Sequence, residues 1–271
     1  MSEQWPLISI VTPSYNQAQF LEETILSVVS QDYPNIEYIV IDGGSSDGSV
    51  DIILKYADHL AYWVSEPDKG QSDAINKGLK RATGQILAWL NSDDLYYPGT
   101  VQTAVDVFRR LPEIGFMFGS AMFVEEDDTP RYVYPGVDRP FFHKLQYWRG
   151  WDIPQPTLFF RKRVLDEFGG LDESFRYALD YEWLLRVSRT TPAYCSDAVL
   201  ATYRLHGGSK TGHWQASKHL FHDECAKAVR KHVPPSSRLY WQWQAARAIH
   251  KVQMLLIKAK SQAKLAVHRR E

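Results

Sequence analysis

The chain has 271 residues, 44% of them hydrophobic and 13% aromatic, with a formal net charge of −1. That is enough apolar material to bury a sizeable core, which excludes global disorder and points to one large domain or one domain with an appendage. No apolar run approaches the roughly 18–20 residues that span a bilayer. The first residues lack the basic and apolar regions of a signal peptide. Cys195 and Cys225, the only cysteines, form neither a metal spacing nor a disulfide framework, which fits a reducing cytoplasm.

The near-neutral total hides an asymmetry. The stretch from Lys227 to Glu271 holds eleven Lys/Arg and one acid, a charge of +10, so the remaining 226 residues carry −11. An acidic body can hold a divalent cation. A basic tail can meet anionic lipid or nucleic acid.

Strand-like and helix-like segments alternate through the first 124 residues. Leu7–Val11 is a short β-branched run, predicted as a buried strand, and residues 20–30 follow with apolar positions at helical spacing. Ile36–Ile41 is predicted as a second strand, 50–57 as a helix, 61–64 as a third strand and 73–82 as a helix. Ile86–Leu90 is the fourth strand and 99–110 the next helix. Repeated β–α alternation with short connections predicts a mostly parallel sheet flanked by helices. Beyond Ile114–Phe118 the rhythm breaks. Residues 125–156 read as a long loop with short strands, and loops of that length are more often functional than structural. Strands at 157–160 and 199–203 and a helix at 180–189 complete this part.

Pro234-Pro-Ser-Ser237 is a breaker and cap signal. Past it, Trp241, Ala245, Ala248, Ile249, Val252, Leu255, Leu256, Ala259, Ala263 and Ala266 fall on one stripe flanked by Lys and Arg. Residues 237–267 are therefore predicted as a basic amphipathic helix. The expected division is a catalytic domain at 1–226, with halves at about 1–124 and 125–226, and a tail at 227–271.

Ligands of a parallel α/β sheet bind at the carboxyl ends of its strands. Polar signals gather there four times, in Thr12-Pro-Ser-Tyr-Asn16, Asp42-Gly-Gly-Ser-Ser-Asp47, Glu66-Pro-Asp-Lys-Gly70 and Asn91-Ser-Asp-Asp94. Any one of them could be an ordinary helix cap. Four in register converge on one crevice. The first turn has no glycine, which argues against a dinucleotide-binding fold, and no Gly-Lys-Ser/Thr element marks a P-loop.

These segments, with Asp68-Lys-Gly-Gln-Ser-Asp-Ala-Ile-Asn-Lys-Gly78, Asp180-Tyr-Glu-Trp-Leu-Leu-Arg186 and Arg204-Leu-His206, resemble the signatures of family 2 glycosyltransferases. The resemblance covers roughly 7–210. It implies a GT-A fold, a nucleotide-sugar donor and an inverting, metal-dependent transfer of hexosyl type. The family's Asp-x-Asp element falls on Asn91-Ser92-Asp93, which makes Asp93 the metal ligand and replaces the first acid by Asn91. Hard cations such as Mn²⁺ or Mg²⁺ take such carboxylates. His206 is the additional metal or diphosphate ligand.

Asp42 is implied to accept the uracil N3–H, which favours a UDP- or dTDP-sugar. Thr12, Pro13 and Tyr15 form the wall beside the base. Asp68 and Lys69 reach the nucleotide, Lys69 either pairing with a phosphate or standing as a solvated loop lysine. The general base is implied to be Asp180, with Glu182 in reserve. Arg204 and Lys210 are either phosphate clamps on a lid or solvated charges.

On the acceptor side, Trp151 and Gln155 belong to an aromatic and polar stretch that could stack a sugar or pack a core, and Asp172 and Glu173 lie in a turn resembling the family's acceptor side. The implied acceptor is a lipid-linked or growing surface glycan. The tail's stripe fits an anionic membrane surface better than nucleic acid. It could instead pack on the catalytic domain or a second copy. This reading places the protein in the cytoplasm, peripheral at the inner membrane face. A non-catalytic sugar- or nucleotide-binding protein on the same fold is the alternative.

Overall fold

The computed structural model describes residues 5–150, 152–210 and 214–268. The chain begins β1 (Ile8–Ser14), α1 (Ala18–Val29), β2 (Ile36–Asp42), α2 (Ser49–Lys55), β3 (Tyr62–Ser65), α3 (Gln71–Arg81) and β4 (Ile86–Trp89). It continues β5 (Leu95–Tyr96), α4 (Thr100–Arg110), β6 (Phe116–Val124), β7 (Pro130–Tyr134), α5 (Phe141–Lys144) and β8 (Phe159–Arg161). It ends α6 (Lys162–Phe168), α7 (Leu179–Val187), β9 (Ala193–Arg204), α8 (Trp214–His232) and α9 (Arg238–His268).

One sheet runs in the order β3-β2-β1-β4-β8-β6-β9-β5, with β7 beside β6. The four strands from β3 to β4 are parallel. β8 turns antiparallel between β4 and β6, and β6 and β9 are again parallel. β1 is buried along its whole length, as a central parallel strand covered on both faces must be. Its side chains alternate between two cores. Ile8 and Ile10 join Tyr38, Val40 and Val101 on one face, while Val11 joins Ile39, Trp89, Phe160 and Trp183 on the other. Helix α3 lies so close to β1 that a Cβ on Gly78 would stand 2.3 Å from a Val11 methyl. That approach brings the first turn of α3 to the strand ends.

Helix α8 runs across residue 226 without a break, and Cys225, Ala226, Ala228, Val229 and Val233 are buried with the main core. The body continues into α9, where Trp243 is 0% exposed, with Leu239 and Tyr240 packed beside it. His250 stacks on Trp148 at 5.5 Å. Residues 239, 243, 246, 247 and 250, at three- and four-residue spacing, thus form the docked side of α9. Trp241, Ile249, Val252, Leu255 and Leu256 point the opposite way and are exposed by 56 to 66%. The stripe seen in the sequence is not the surface that docks. A Trp243→Ala variant should therefore lose about 3–5 kcal/mol of stability, the usual cost of a large aromatic deleted from a core. Denaturant unfolding checks this, and a loss below about 1 kcal/mol would mean that α9 does not belong to the body.

Candidate active site

The carboxyl ends of β1, β2 and β4 open into a cleft of about 2370 Å³, closed on its far side by β6, β7 and residues 205–210. A pocket for one small ligand is roughly 300–1,000 Å³. This cleft has room for two substrates.

Pro13 and Tyr15 line one end, with Tyr15 61% exposed. Thr12 does not reach the cleft. It is fully buried, and its hydroxyl pairs with Tyr38 at 3.0 Å. Asp42 is likewise turned inward and is 0% exposed. Its carboxylate accepts hydrogen bonds from the Gly44 and Ser45 amides (3.1 and 2.8 Å) and the Ser45 and Ser65 hydroxyls (2.5 and 2.7 Å). It braces the turn and offers no face to a base. The carboxylate that lines the cleft here is the half-buried Asp68, which packs over Gly43 beside the Tyr15 ring and accepts the Gly70 N–H at 2.7 Å. Lys69 is exposed on the rim.

The floor is formed after β4. The Nε2 atom of His206 lies 3.0 Å from the Asp93 carboxylate. The Gly208 N–H points at His206 Nδ1 at 3.2 Å, so Nδ1 accepts and Nε2–H donates to Asp93. The Phe20 ring lies against His206 at 4.5 Å between centroids and fixes its plane. A carboxylate and an imidazole so placed are a donor set that Mn²⁺ accepts once the ring proton moves to Nδ1, which frees Nε2 and gives up the Gly208 contact. Among the described residues no three His, Cys, Asp or Glu side chains gather, so further donors would be diphosphate oxygens and water.

Asp94 stays out of the cleft. Burial, and the neighbouring Asp93, push its carboxyl well above the usual range, and it accepts the Arg204 backbone N–H at 3.1 Å. Arg204 is neither a clamp nor a solvated charge. It is buried, pairing with Glu23 (2.7 Å) and Asp128 (3.0 Å) and donating to the carbonyls of Asp93 and Glu126 (3.1 Å each).

Asn91 accepts from Gln71 at 2.7 Å and donates to Gln155 at 2.8 Å and Asp94 at 3.3 Å. An aspartate at this position would set its charge against Asp94 and the Gln155 carbonyl oxygen. The amide is what this floor requires. Gln155 is itself a buried floor residue, anchored to the Trp89 carbonyl at 2.9 Å.

Asp180 lines the cleft at the start of α7. Burial raises its carboxyl above the usual range, and the Tyr181 N–H and the Lys210 charge only partly offset this. Lys210 donates to Gln71 and to the Arg176 carbonyl, both at 2.6 Å, and desolvation there pulls it to about 8 against the attraction of Asp180. Glu182 is excluded as a base. It is fully buried and held by His232 (2.6 Å), Arg186 (3.0 Å) and Lys231 (3.1 Å). Asp172 also leaves the cleft, because Lys231 binds it at 2.5 Å. Burial raises its carboxyl, but Lys231 and Ser174 outweigh that and hold it at about 2. Glu173 remains exposed on the cleft wall, and Trp151 lies outside the described residues.

Three contributors escape the sequence reading. Gln71 and Arg176 link the lid to the floor and to α7. The third is an aromatic wall across three strands, in which Phe123 stacks on Tyr132 (5.0 Å) and on Tyr203 (4.6 Å). Residue type alone gave no register for β7, so this wall could not be assembled from the sequence.

A family model described as glycosyl transferase family 2 matches residues 9–169. An uncharacterized glycosyltransferase of Rickettsia typhi is 32% identical over 220 residues, covering 76% of this chain and 66% of that protein. A Rickettsia conorii relative is spanned over only 37% of its length. The Bacillus subtilis protein TuaG, named for a teichuronic acid biosynthesis glycosyltransferase, is 30% identical over 229 residues, 80% of this chain and 87% of TuaG. Among solved structures, Staphylococcus aureus TarS 1–349 in complex with UDP-GlcNAc superposes with a TM-score of 0.66 at 19% identity, over 86% of this chain and 69% of TarS 1–349. The mannosyltransferase PcManGT of Pyrobaculum calidifontis, in complex with GDP-Man and Mn²⁺, also gives 0.66, at 22% identity, over 91% of this chain and 70% of that one. At these identities the structures show a shared fold, the GT-A fold expected from the motifs. Together with the family match, they establish that the chain belongs to glycosyltransferase family 2.

Proposed function

We propose that the chain is a metal-dependent, inverting hexosyltransferase that moves a sugar from a UDP- or dTDP-sugar to a hydroxyl of a lipid-linked or growing surface glycan. The observation that carries this reading is the convergence, in one cleft, of the Asp93–His206 pair, Asp180 and the Tyr15–Asp68 wall. Tyr15 stacks the base, and Asp68 takes the part expected of Asp42 by accepting the pyrimidine N3–H. Asp93 and His206 hold Mn²⁺ or Mg²⁺, which when bound supplies Lewis-acid stabilisation of the charge on the departing diphosphate. Lys69 and Lys210 add positive charge at the same end. Asp180, its proton affinity raised by burial, takes the proton of the attacking acceptor hydroxyl. The aromatic wall and Glu173 face the acceptor. Proton NMR of the sugar freshly released from an α-linked donor tests the mechanism. The β anomer is expected, and the α anomer would contradict inversion.

The tail belongs to the same proposal. The exposed stripe of α9 lies on an anionic membrane, the protein standing as a peripheral one at the cytoplasmic face. Its charge of +10 over 227–271 favours lipid headgroups over a second copy of the same helix, which would repel it. Among the described residues no helix is long and apolar enough to cross a membrane. Lys251 flanks the described part, Arg247 turns to the body over the Trp243 ring at 5.5 Å, and the side chains of Lys258, Lys260 and Lys264 lie outside the described residues. A cut after Pro235 would remove the buried Trp243, so the informative truncation follows His250. The full chain should float with anionic vesicles and not neutral ones, and the truncated chain with neither. Flotation of the truncated chain, or dimerisation of the full one through the stripe, would count against a membrane role.

A further inference from the structure

The segment ahead of α7 is held from both sides. Glu224 of α8 accepts the backbone N–H groups of Tyr177 (2.7 Å), Ala178 (2.8 Å) and Arg176 (3.0 and 3.1 Å to its two oxygens). Ala178 caps α7 and has no side-chain cap of its own. A carboxylate from a distant helix therefore satisfies the N-cap N–H of α7 and the two N–H groups just ahead of it, at the end where a negative charge is favourable. From the other side Lys210 holds the Arg176 carbonyl at 2.6 Å. Asp180 follows two residues after Ala178. Its own carboxylate accepts the Tyr181 N–H at 2.8 Å, so its direction depends on where the first turn of α7 sits. Glu224 does not line the cleft. Helix α8 stays seated without it, through the buried Cys225, Ala226, Ala228 and Val229.

We infer that Glu224 is a positioning residue, which aims the Asp180 carboxylate at the acceptor hydroxyl by fixing the Arg176–Ala178 segment from outside the site. The inference rests on the reading of Asp180 as the base. A displacement of the order of 1 Å at a reacting group costs about 10²-fold. Glu224→Gln keeps the shape but loses the charge and one acceptor oxygen, and Glu224→Ala loses the anchor. Glu224→Gln should lower kcat about tenfold and Glu224→Ala about 10²-fold, with the donor KM within about twofold of wild type. Glu224→Asp, which keeps the charge, should retain more kcat than Glu224→Gln.

The deciding measurement is a double-mutant cycle. In an Asp180→Asn background, Glu224→Gln should cause no further loss, because both changes act through one carboxylate. Wild-type kcat in both Glu224→Gln and Glu224→Ala would overturn the inference, as would an equal fold-loss in both backgrounds. Wild-type turnover in Asp180→Asn alone would instead overturn the base assignment and take this inference with it.

Discussion

Asp180→Asn should lower turnover by at least about 10²-fold, the usual scale of general-base catalysis, while leaving affinity for UDP and Mn²⁺ unchanged. The amide matches the carboxylate in shape and can still accept the Tyr181 N–H. It cannot take a proton from the acceptor. Asp180 is not among the partners of Asp93 or His206, so the donor end of the cleft should not register the change. Single-turnover kinetics with saturating donor separates chemistry from binding. Turnover near wild type would move the base elsewhere, and it could not move to Glu182, whose carboxylate is buried and held by Arg186, Lys231 and His232.

Asp93→Ala should abolish metal-dependent donor binding. Among the described residues Asp93 and His206 are the two side chains proposed to hold the metal, so the variant would remove one of two donors and the anionic one. Losing a mere hydrogen-bond partner of a metal ligand costs roughly 10–100-fold in affinity, and losing the ligand should exceed that. Calorimetric titration of UDP in the presence of Mn²⁺ is the check. Asp93→Asn should do nearly the same, because shape is kept and charge is not. Unchanged affinity in either variant would remove Asp93 from the metal site.

The first half of the fold was legible because central parallel strands are apolar on both faces and leave continuous runs such as Ile36–Ile41. What the runs did not reveal was where each strand stops. β2 extends one residue further than its apolar run, and Asp42 pairs in register with Ser14 at the end of β1. At that position the Asp42 carboxylate binds the turn at Gly44 and Ser45 and the Ser65 hydroxyl of β3 and does not face the cleft. Thr12 is withdrawn for the same reason, since β1 continues through Ser14. The motif spacing located the crevice correctly, but an acid at a strand end can brace a turn or face a ligand, and only burial separates the two. In the sequence Asn91 reads as the replacement of the first acid of the Asp-x-Asp element. In the structure it is the amide that lets Gln71, Gln155 and Asp94 share one floor.

Beyond residue 125 less could be read. Helix α6 (Lys162–Phe168) has two turns, too short to show a period in the sequence. In α9 the stripe was found, yet the docked side was not. It is built from Leu239, Trp243, Arg247 and His250, a mixture of apolar, charged and aromatic groups that makes no clean hydrophobic pattern. Long charged and aromatic side chains cover apolar surface with their stems and rings, so periodicity of apolar residues undercounts them. The contact between Glu224 and the start of α7 joins residues more than forty positions apart, which no local pattern announces.

The most direct test of the chemistry is nucleotide release by the purified full chain from UDP-, dTDP-, GDP- and CMP-sugars, each with Mn²⁺ and again with a chelator. Release from a uridine or thymidine donor that stops on chelation is the expected result. Release confined to a guanosine or cytidine donor, release indifferent to the chelator, or release from none of the four would contradict it.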